Sequence, residues 1–155
     1  MEPRTISHPA TGNPRIPAEA AVFRHYLPVQ LRFNDIDMLG HVNNSVYITL
    51  FDMGKTRYFE AALPDVDFRH IPIVVVNVNC DLFEPTYFND SVEMFTRVAR
   101  IGNRSITMDQ RIVDTATGHL KARCTTVLAG FDPATATGAP LDPVYVAAIR
   151  EFDNI

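Results

Sequence analysis

The sequence has no long apolar run and few cysteines. Its longest purely aliphatic run, Ile73 to Val76, is far shorter than the roughly 20 residues of a membrane-spanning helix. No apolar stretch follows the first residues, Met-Glu-Pro-Arg, so we expect no secretory signal peptide. The two cysteines, Cys80 and Cys124, are too few for a disulfide framework. These absences predict a cytoplasmic protein without a membrane partner.

Motifs of several common enzyme classes are also absent. The chain contains no Gly-x-Ser-x-Gly, no His-Glu-x-x-His and no phosphate-cradling P-loop. Its cysteines lack the spacing of a zinc site, and Asp35, Asp37 and His41 lie in one short segment, which rarely supplies a full ligand set. The formal net charge is −4 at pH 7, whereas nucleic-acid binding needs a basic face. We therefore expect neither a metal site nor a nucleic-acid partner.

Length and composition indicate one soluble globular domain preceded by an arm. The chain has 155 residues, of which 46% are hydrophobic and 21% charged, the usual proportions of a globular protein. Residues 1–21 contain four prolines and little apolar content, so we interpret them as a flexible or extended arm. We assign residues 22–155 to a single domain.

One long helix is predicted after a first strand. Leu27 to Phe33 alternates between apolar and polar residues, which predicts a half-buried strand. Asn43 or Asn44 can then cap a helix that runs to about Ala62 and ends at Pro64. Gly54 lies on the apolar face of this helix, which indicates a close approach to a sheet. The opposite, polar face carries Asp52, Lys55, Thr56 and Glu60.

The second half of the sequence predicts hairpin-linked strands. Turns at Gly102-Asn103 and Thr117-Gly118 favour tight hairpin connections. The strand patterns span residues 73–83, 91–100, 105–113 and 119–131, and a short helix is predicted for 144–151. A run of hairpin-linked strands after one long helix predicts an α+β fold, in which about five antiparallel strands wrap around the helix.

Most of the candidate chemistry lies where the first strand ends and the long helix begins. The segment from Arg32 to Tyr47 contains two carboxylates, a glycine, a histidine and two asparagines: Asp35, Asp37, Gly40, His41, Asn43 and Asn44. The start of a helix leaves backbone N–H groups unpaired, and the helix dipole favours negative charge there. A carboxylate beside such donors can act as base or nucleophile while the amides hold an oxyanion. The segment is therefore a candidate active site.

This segment resembles the Asp-x-Asp-x-x-Gly-(His/hydrophobic)-Val-Asn-Asn-x-x-Tyr signature of the hot-dog-fold acyl-CoA thioesterases, in the 4-hydroxybenzoyl-CoA thioesterase-like group. The resemblance continues more loosely to about Phe131. It implies the hot-dog fold and the hydrolysis of an acyl-CoA thioester to a free carboxylic acid and CoA. It implies no cofactor, because CoA is part of the substrate.

The resemblance also implies roles within the segment. Asp37 matches the catalytic carboxylate, as nucleophile or general base, although an Asp here could instead form a turn or cap a helix. For Asp35 we favour a turn that bonds the backbone. Gly40 permits a conformation or a ligand approach that a side chain would obstruct. His41 could hydrogen-bond the substrate or Asp37, or only secure the loop. The backbone N–H of Asn44 matches the amide that polarises the thioester carbonyl.

Three further residues are candidates for substrate binding. Asn43 lies next to the amide donor, although it is first a capping residue. Tyr47 lies on the apolar face of the helix, where a core role and substrate contact are both open. Asn77 interrupts an aliphatic strand, on the face opposite Val78 and Cys80, and a buried polar group there would need a partner. Asn77 is therefore a candidate for the lining of the acyl pocket.

A basic stretch between Arg97 and Arg123 could bind the phosphates of CoA. Arginine suits phosphate because its guanidinium is a planar fork of donors. Arg104 follows the Gly102-Asn103 turn, near the position where a basic residue contacts the nucleotide in the relatives. Arg100 and Arg123 are further candidates. A solvated strand surface is the alternative for all three.

The resemblance predicts an assembly as well. It implies a homodimer whose two sheets join edge to edge, with each active site at the subunit boundary, and many relatives pair again into tetramers. The alternative function is a module that binds acyl-CoA or another apolar ligand without hydrolysing it. Asp37 favours an enzyme, because a pure binding module needs no carboxylate beside a thioester.

Overall fold

The computed structural model describes residues 1–63 and 65–155. In chain order its elements are β1 (Arg4–Ile6), β2 (Ala21–Phe23), β3 (His25–Pro28), α1 (Asn44–Ala62), β4 (Ile73–Leu82), β5 (Val92–Ile101), β6 (Ser105–Asp114), β7 (Leu120–Asp132), β8 (Thr137–Gly138) and α2 (Pro143–Asp153). One antiparallel sheet has the strand order β3-β5-β6-β7-β4, and β8 pairs with the end of β7. The long helix α1 packs on this curved sheet. The predicted α+β architecture is confirmed.

Helix α1 begins where its capping residue predicts. Asn43 is the N-cap residue, and its side-chain oxygen accepts a 3.0 Å hydrogen bond from the Ser45 N–H. The predicted position of Lys55 on the polar face is wrong, since its side chain is buried. The aliphatic stem of a lysine can lie on apolar surface while its ammonium group reaches outward. Here the Lys55 ammonium pairs with Asp52 at 2.7 Å. The helix ends at Ala62, as predicted, while Pro64, the predicted stop, lies outside the described residues.

Gly54 marks the place where α1 comes closest to the sheet. A Cβ atom at this position would lie 2.8 Å from the Gln110 side-chain nitrogen and 3.0 Å from Met94 Cγ. Gln110 in turn donates a 2.9 Å hydrogen bond to the carbonyl oxygen of Phe51 in the helix. The close approach that the sequence predicts is therefore present, and it fixes the height of the helix above the sheet.

The strands β4 to β7 agree with the predicted ranges to within a residue or two, but the first strand does not. The alternation from Leu27 to Phe33 predicts one strand, whereas β3 ends at Pro28 and a single 3-10 turn occupies Phe33–Asp35. The Phe33 side chain is 87% exposed. The Arg32 N–H donates a 2.7 Å hydrogen bond to the Asp35 carboxylate, a local bond that favours a turn over a strand at this point.

The N-terminal segment extends over the domain. β1 pairs with β2, and Arg4 forms a 2.6 Å ion pair with Glu93 on β5. The Arg4 guanidinium also lies over the ring of Tyr26, 4.5 Å from its centre. Further along, His8 contacts Arg111 of β6. Residues 1–21 thus form an extended arm that is held on the domain by these polar contacts and by the packing of Ile6 and Ile16 against a core cluster.

The core on the helix side divides into two clusters. One lies under the first half of α1 and includes Val42, Tyr47 and Phe51. The other lies under its second half and is closed by α2, which contributes Ile149. The candidate segment therefore rests on the first cluster. None of the helices among residues 1–63 and 65–155 is long and apolar enough to cross a membrane.

Candidate active site

The segment that carries the candidate chemistry forms a small hairpin before α1. Ile36 and Val42 make an antiparallel bridge, and between them the Asp37 N–H donates to the His41 carbonyl at 2.8 Å. The turn is closed by the Gly40 N–H, which donates to the Asp37 carbonyl at 3.1 Å. Gly40 has a φ of +79°, in the left-handed region, and a Cβ there would meet no atom of residues 1–63 or 65–155 within 4 Å. Glycine is therefore required by backbone conformation and not by space within the protein.

One oxygen of the Asp37 carboxylate organises this hairpin, and the other does not. Asp37 Oδ1 accepts hydrogen bonds from the Leu39 N–H at 2.9 Å and from the His41 N–H at 3.3 Å. Among the described residues, Oδ2 accepts none. The turn role and the catalytic role that the sequence left open therefore fit the same side chain, because the turn uses only one of the two oxygens.

The backbone N–H of Asn44 is available for a ligand. The Val42 N–H donates to the Thr86 carbonyl and the Asn43 N–H to the Asp35 carbonyl, each at 2.8 Å. The next two amides, at positions 45 and 46, bond to the side chain and the carbonyl of Asn43. From Gly40 to Val46, only the Asn44 N–H donates to no acceptor in the described part of the chain. It lies at the positive end of the α1 dipole, where a developing negative charge is stabilised.

Asp37 and Asn44 line one cleft of about 270 Å³. The near wall is completed by His41, Val42 and Tyr47, and the far wall is formed by the last residue of β4 and the chain that follows it, from Leu82 to Pro85. The sequence did not predict this far wall. The only sequence feature that marks the far wall is Pro85, which follows the strand pattern. A proline indicates a loop but does not show which other segment that loop faces.

Asp35 links the start of the segment to the N-cap residue of α1. It is buried, and it accepts hydrogen bonds from the backbone and the guanidinium of Arg32 at 2.7 Å and 3.0 Å. The hydrogen bond from the Arg32 side chain lowers the pKa of Asp35, against burial, which raises it. Its own carbonyl binds the Asn43 N–H. Asp35 thus has the backbone-bonding role that the sequence favours for it.

Tyr47 and His41 both contact the loop that follows β4. The Tyr47 hydroxyl is buried and donates to the Thr86 hydroxyl at 2.8 Å. The His41 ring packs edge-on against Tyr87, with ring centres 5.2 Å apart. His41 reaches Asp37 through its backbone N–H and not through its imidazole.

A charged group missed by the sequence analysis borders the far wall. Glu84 lines the cleft and binds His119 at 2.9 Å and Lys121 at 3.5 Å. The Lys121 ammonium also donates to the Pro85 carbonyl at 3.1 Å. These contacts hold the far wall on the start of β7. In the part of the chain that the structure describes, no group of three or more His, Cys, Asp and Glu side chains is placed to hold a metal ion.

The predicted phosphate-binding arginines do not lie at this cleft within one chain. Arg104 lies at the other end of the sheet, where its carbonyl accepts a hydrogen bond from the Gly130 N–H. The stretch of β7 from Lys121 to Gly130 spans roughly 30 Å at the usual rise of a strand. Arg100 lies near Arg104, on β5 opposite Thr107.

Arg123 and Asn77 lie on the other face of the sheet. Arg123 donates a 2.8 Å hydrogen bond to Asp109, in a cluster that also contains Arg97 and Arg111. Asn77 is exposed on β4, opposite Val127, where the register of the strand shifts. Neither residue is brought to the Asp37 cleft within a single chain.

The family model described as the thioesterase-like superfamily matches residues 31–149, which include the whole hairpin and α1. The chain belongs to this superfamily. Its fold is the hot-dog fold of the thioesterases, as the sequence resemblance implies.

Solved structures and a sequence relative agree with this assignment. A thioesterase of Thermus thermophilus, complexed with coenzyme A and Zn, is 28% identical, with a TM-score of 0.75 over 86% of this chain and 96% of that chain. A predicted thioesterase from Bacillus stearothermophilus is 25% identical, with a TM-score of 0.73 over 82% and 94%. The Bacillus subtilis protein YsmA is 23% identical over 86 residues, which span 56% of this chain and only 58% of that protein.

Proposed function

We propose that the protein hydrolyses acyl-CoA thioesters at the cleft between Asp37 and Asn44. One observation carries the proposal: a carboxylate oxygen of Asp37 and the N–H of Asn44 both lack a partner in the described chain and line the same cleft. Thioester hydrolysis needs both groups, a base or nucleophile at the carbonyl carbon and a donor at its oxygen. The superfamily and the solved thioesterases support the same reaction class.

In this mechanism the thioester carbonyl lies with its oxygen toward the Asn44 N–H. Asp37 either attacks the carbonyl carbon, forming a mixed anhydride that water then cleaves, or removes a proton from the water that attacks. Either route passes through an oxyanion, and one such donor is commonly worth about 3 kcal/mol. The bond between carbon and sulfur breaks, and CoA leaves as a thiolate, which needs little help from a general acid.

The experiment is the Asp37→Asn variant, assayed by thiol release over a panel of acyl-CoAs. Asparagine keeps the oxygen that binds the Leu39 and His41 amides, so the hairpin is retained while the negative charge is lost. We expect turnover to fall at least ~100-fold with an unchanged unfolding temperature. Asp35→Asn is the matched control, because it removes a carboxylate from the same segment but not from the cleft. It should lower stability and leave the turnover of the folded fraction far less affected.

Two outcomes would contradict the proposal. A folded Asp37→Asn variant with near-full activity would show that Asp37 serves only the turn. A wild-type protein that binds acyl-CoA but releases no thiol from any member of the panel would support a binding module instead.

We also propose that the active unit is a homodimer joined through β4. This strand is an edge of the sheet, and it exposes Val74, Val75, Val76 and Val78 by 42%, 42%, 59% and 44%. A long, aliphatic edge with unpaired backbone groups is a surface that pairs with another strand. Sedimentation at micromolar concentration should give a dimer or a larger even assembly. A stable, active monomer would contradict it.

Such a dimer would bring the distant arginines to the cleft. A two-fold axis makes the two copies of β4 antiparallel, so the Leu82 end of one strand would lie beside the Ile73 end of the other. Ile73 is paired with Gly130, which binds the carbonyl of Arg104. Arg104 of one protomer would therefore approach the cleft of its partner and could bind the phosphates of CoA there.

A further inference from the structure

The two cysteines of the chain, Cys80 and Cys124, face each other across neighbouring strands. They are direct partners in the antiparallel pairing of β4 with β7. Both belong to the core cluster under the first half of α1, Cys124 fully buried and Cys80 partly. Both are free thiols in this structure.

The hydrogen-bond pattern fixes the kind of pair that they form. In an antiparallel ladder, hydrogen-bonded and non-hydrogen-bonded pairs alternate along the strands. The Phe83 N–H donates to the Lys121 carbonyl at 2.9 Å, in the same register as the Cys80 pair. Phe83 and Lys121 are therefore a bonded pair, and Cys80, three positions earlier in β4, belongs to a non-bonded pair with Cys124.

Non-bonded pairs bring side chains closest together. Their Cα atoms lie about 4.5 Å apart, whereas a disulfide accepts Cα separations of about 4.4 to 6.8 Å. The two thiols also interact, since burial and the neighbouring Cys124 thiol together raise the pKa of Cys80 to about 12. Little backbone movement is needed to join them.

We propose that Cys80 and Cys124 form an intramolecular disulfide when the protein meets a peroxide. The Cys80 sulfur attacks the peroxide oxygen, the O–O bond breaks, and Cys80 becomes a sulfenic acid with release of water. The Cys124 sulfur then attacks the Cys80 sulfur, and the sulfenic oxygen leaves as a second water. Two thiols and one hydrogen peroxide thus give one disulfide and two waters.

Exposure sets the order of these steps. The Cys80 side chain is partly exposed and is reached first, while the buried Cys124 acts as the resolving thiol. Only the thiolate attacks, so the raised pKa of Cys80 makes the first step slow at neutral pH and faster as pH rises. Lys55 on α1 lowers that pKa and Asp52 on the same helix raises it, so the two charges oppose each other.

The expected effect of the bond is on stability. It would tie the edge strand to the sheet and close the chain from residue 80 to residue 124 into a loop. Closing a loop of this length restricts the unfolded chain more than the folded one. The oxidised protein should therefore unfold several degrees higher than the reduced protein.

The test is hydrogen peroxide treatment of dilute protein at pH 7 and pH 9, followed by alkylation and intact mass measurement without reductant. We expect each chain to lose two hydrogens and to take up no alkylating reagent. This oxidised form should appear faster at pH 9 and should revert with dithiothreitol. Peptide mapping should link Cys80 to Cys124. The Cys80→Ser variant, changed at the partly exposed position, should give none of these changes and no rise in unfolding temperature.

Three results would overturn the proposal. In the first, Cys80 retains oxygen atoms and Cys124 still reacts with the alkylating reagent. In the second, the disulfide joins two chains. In the third, the mass does not change after prolonged treatment at pH 9. Each can be read from the wild-type protein alone, so the conclusion does not depend on how a cysteine variant folds.

Discussion

The hydroxyl of Tyr47 donates a 2.8 Å hydrogen bond to the hydroxyl of Thr86, 39 positions away in the sequence. The same Thr86 accepts the Val42 N–H through its carbonyl oxygen. One residue after β4 therefore holds both the hairpin that carries Asp37 and the first turn of α1. Because Thr86 directly follows the far wall of the cleft, these bonds connect the two walls.

Replacement of Tyr47 by phenylalanine should therefore lower the free energy of unfolding, although it removes only one oxygen atom. The Thr86 hydroxyl would remain buried without its donor, a situation that typically costs about 1–3 kcal/mol. Chemical denaturation should show this loss with an unchanged slope. Tyr145→Phe on α2 is the control, because that hydroxyl makes no hydrogen bond within the described residues, and its removal should be nearly neutral. Equal stability of the two variants would contradict this account.

Substitutions at Gly40 separate the two reasons for a glycine at the turn. A left-handed conformation costs alanine roughly 1–2 kcal/mol, and asparagine tolerates it better. We expect Gly40→Ala to lower both the unfolding temperature and turnover, and Gly40→Asn to recover most of each. If both variants fold like the wild type but lose activity equally, the glycine is needed for substrate approach, and the conformational explanation is wrong.

The sequence predicts the limits of the helices and strands, because neighbouring residues in the chain determine them. The limits of α1 follow from Asn43, and the strand limits follow from alternation and turn residues, so these predictions hold to a residue or two. The alternation of apolar and polar residues predicted too long a first strand, because it does not show that the Asp35 carboxylate binds the Arg32 N–H and favours a turn there. The far wall of the cleft and the remoteness of Arg104 were not predictable, since both depend on which strand ends the sheet brings together.

Gly54→Ala tests the close approach of α1 to the sheet. In a free helix this change is stabilising by about 1 kcal/mol, because alanine is the better helix former. Here the new methyl group would lie 2.8 Å from the side-chain nitrogen of Gln110. Overpacking of this kind commonly costs about 1–3 kcal/mol, so we expect net destabilisation in thermal unfolding. A variant more stable than the wild type would show that the sheet yields at Gln110.

The docking of the N-terminal arm should weaken in acid. Arg111 donates to His8 Nε2 at 3.0 Å, and His8 Nδ1 lies 3.3 Å from the Gly118 carbonyl, so a neutral ring fits both partners. Burial, with the charges of Arg111 and Arg123, lowers the pKa of His8 against the attraction of Asp109. Protonation is then easier in the undocked arm, so docking is complete above about pH 6.5 and is lost progressively below it.

Hydrogen exchange of the β1 amides, corrected for intrinsic rates, should report this loss between pH 7.5 and pH 5. The His8→Gln variant keeps a neutral acceptor at every pH and should show no such trend. The same trend in both proteins would assign the acid sensitivity to another group, such as the Arg4 pair with Glu93.

Mixed dimers can decide whether Arg104 acts across the subunit boundary. Arg104→Ala alone should raise KM for an acyl-CoA with little change in kcat, because a phosphate contact far from the carbonyl contributes mainly uniform binding. The Arg104→Ala variant should hydrolyse a thioester without the nucleotide as well as the wild type does.

When an Asp37→Asn subunit pairs with an Arg104→Ala subunit, one cleft has an intact Asp37 and receives its partner's intact Arg104. Co-expressed hybrids should therefore recover a low KM at about half the wild-type kcat per dimer. Hybrids that keep the high KM of the Arg104→Ala parent would mean that the arginine does not reach the partner's cleft.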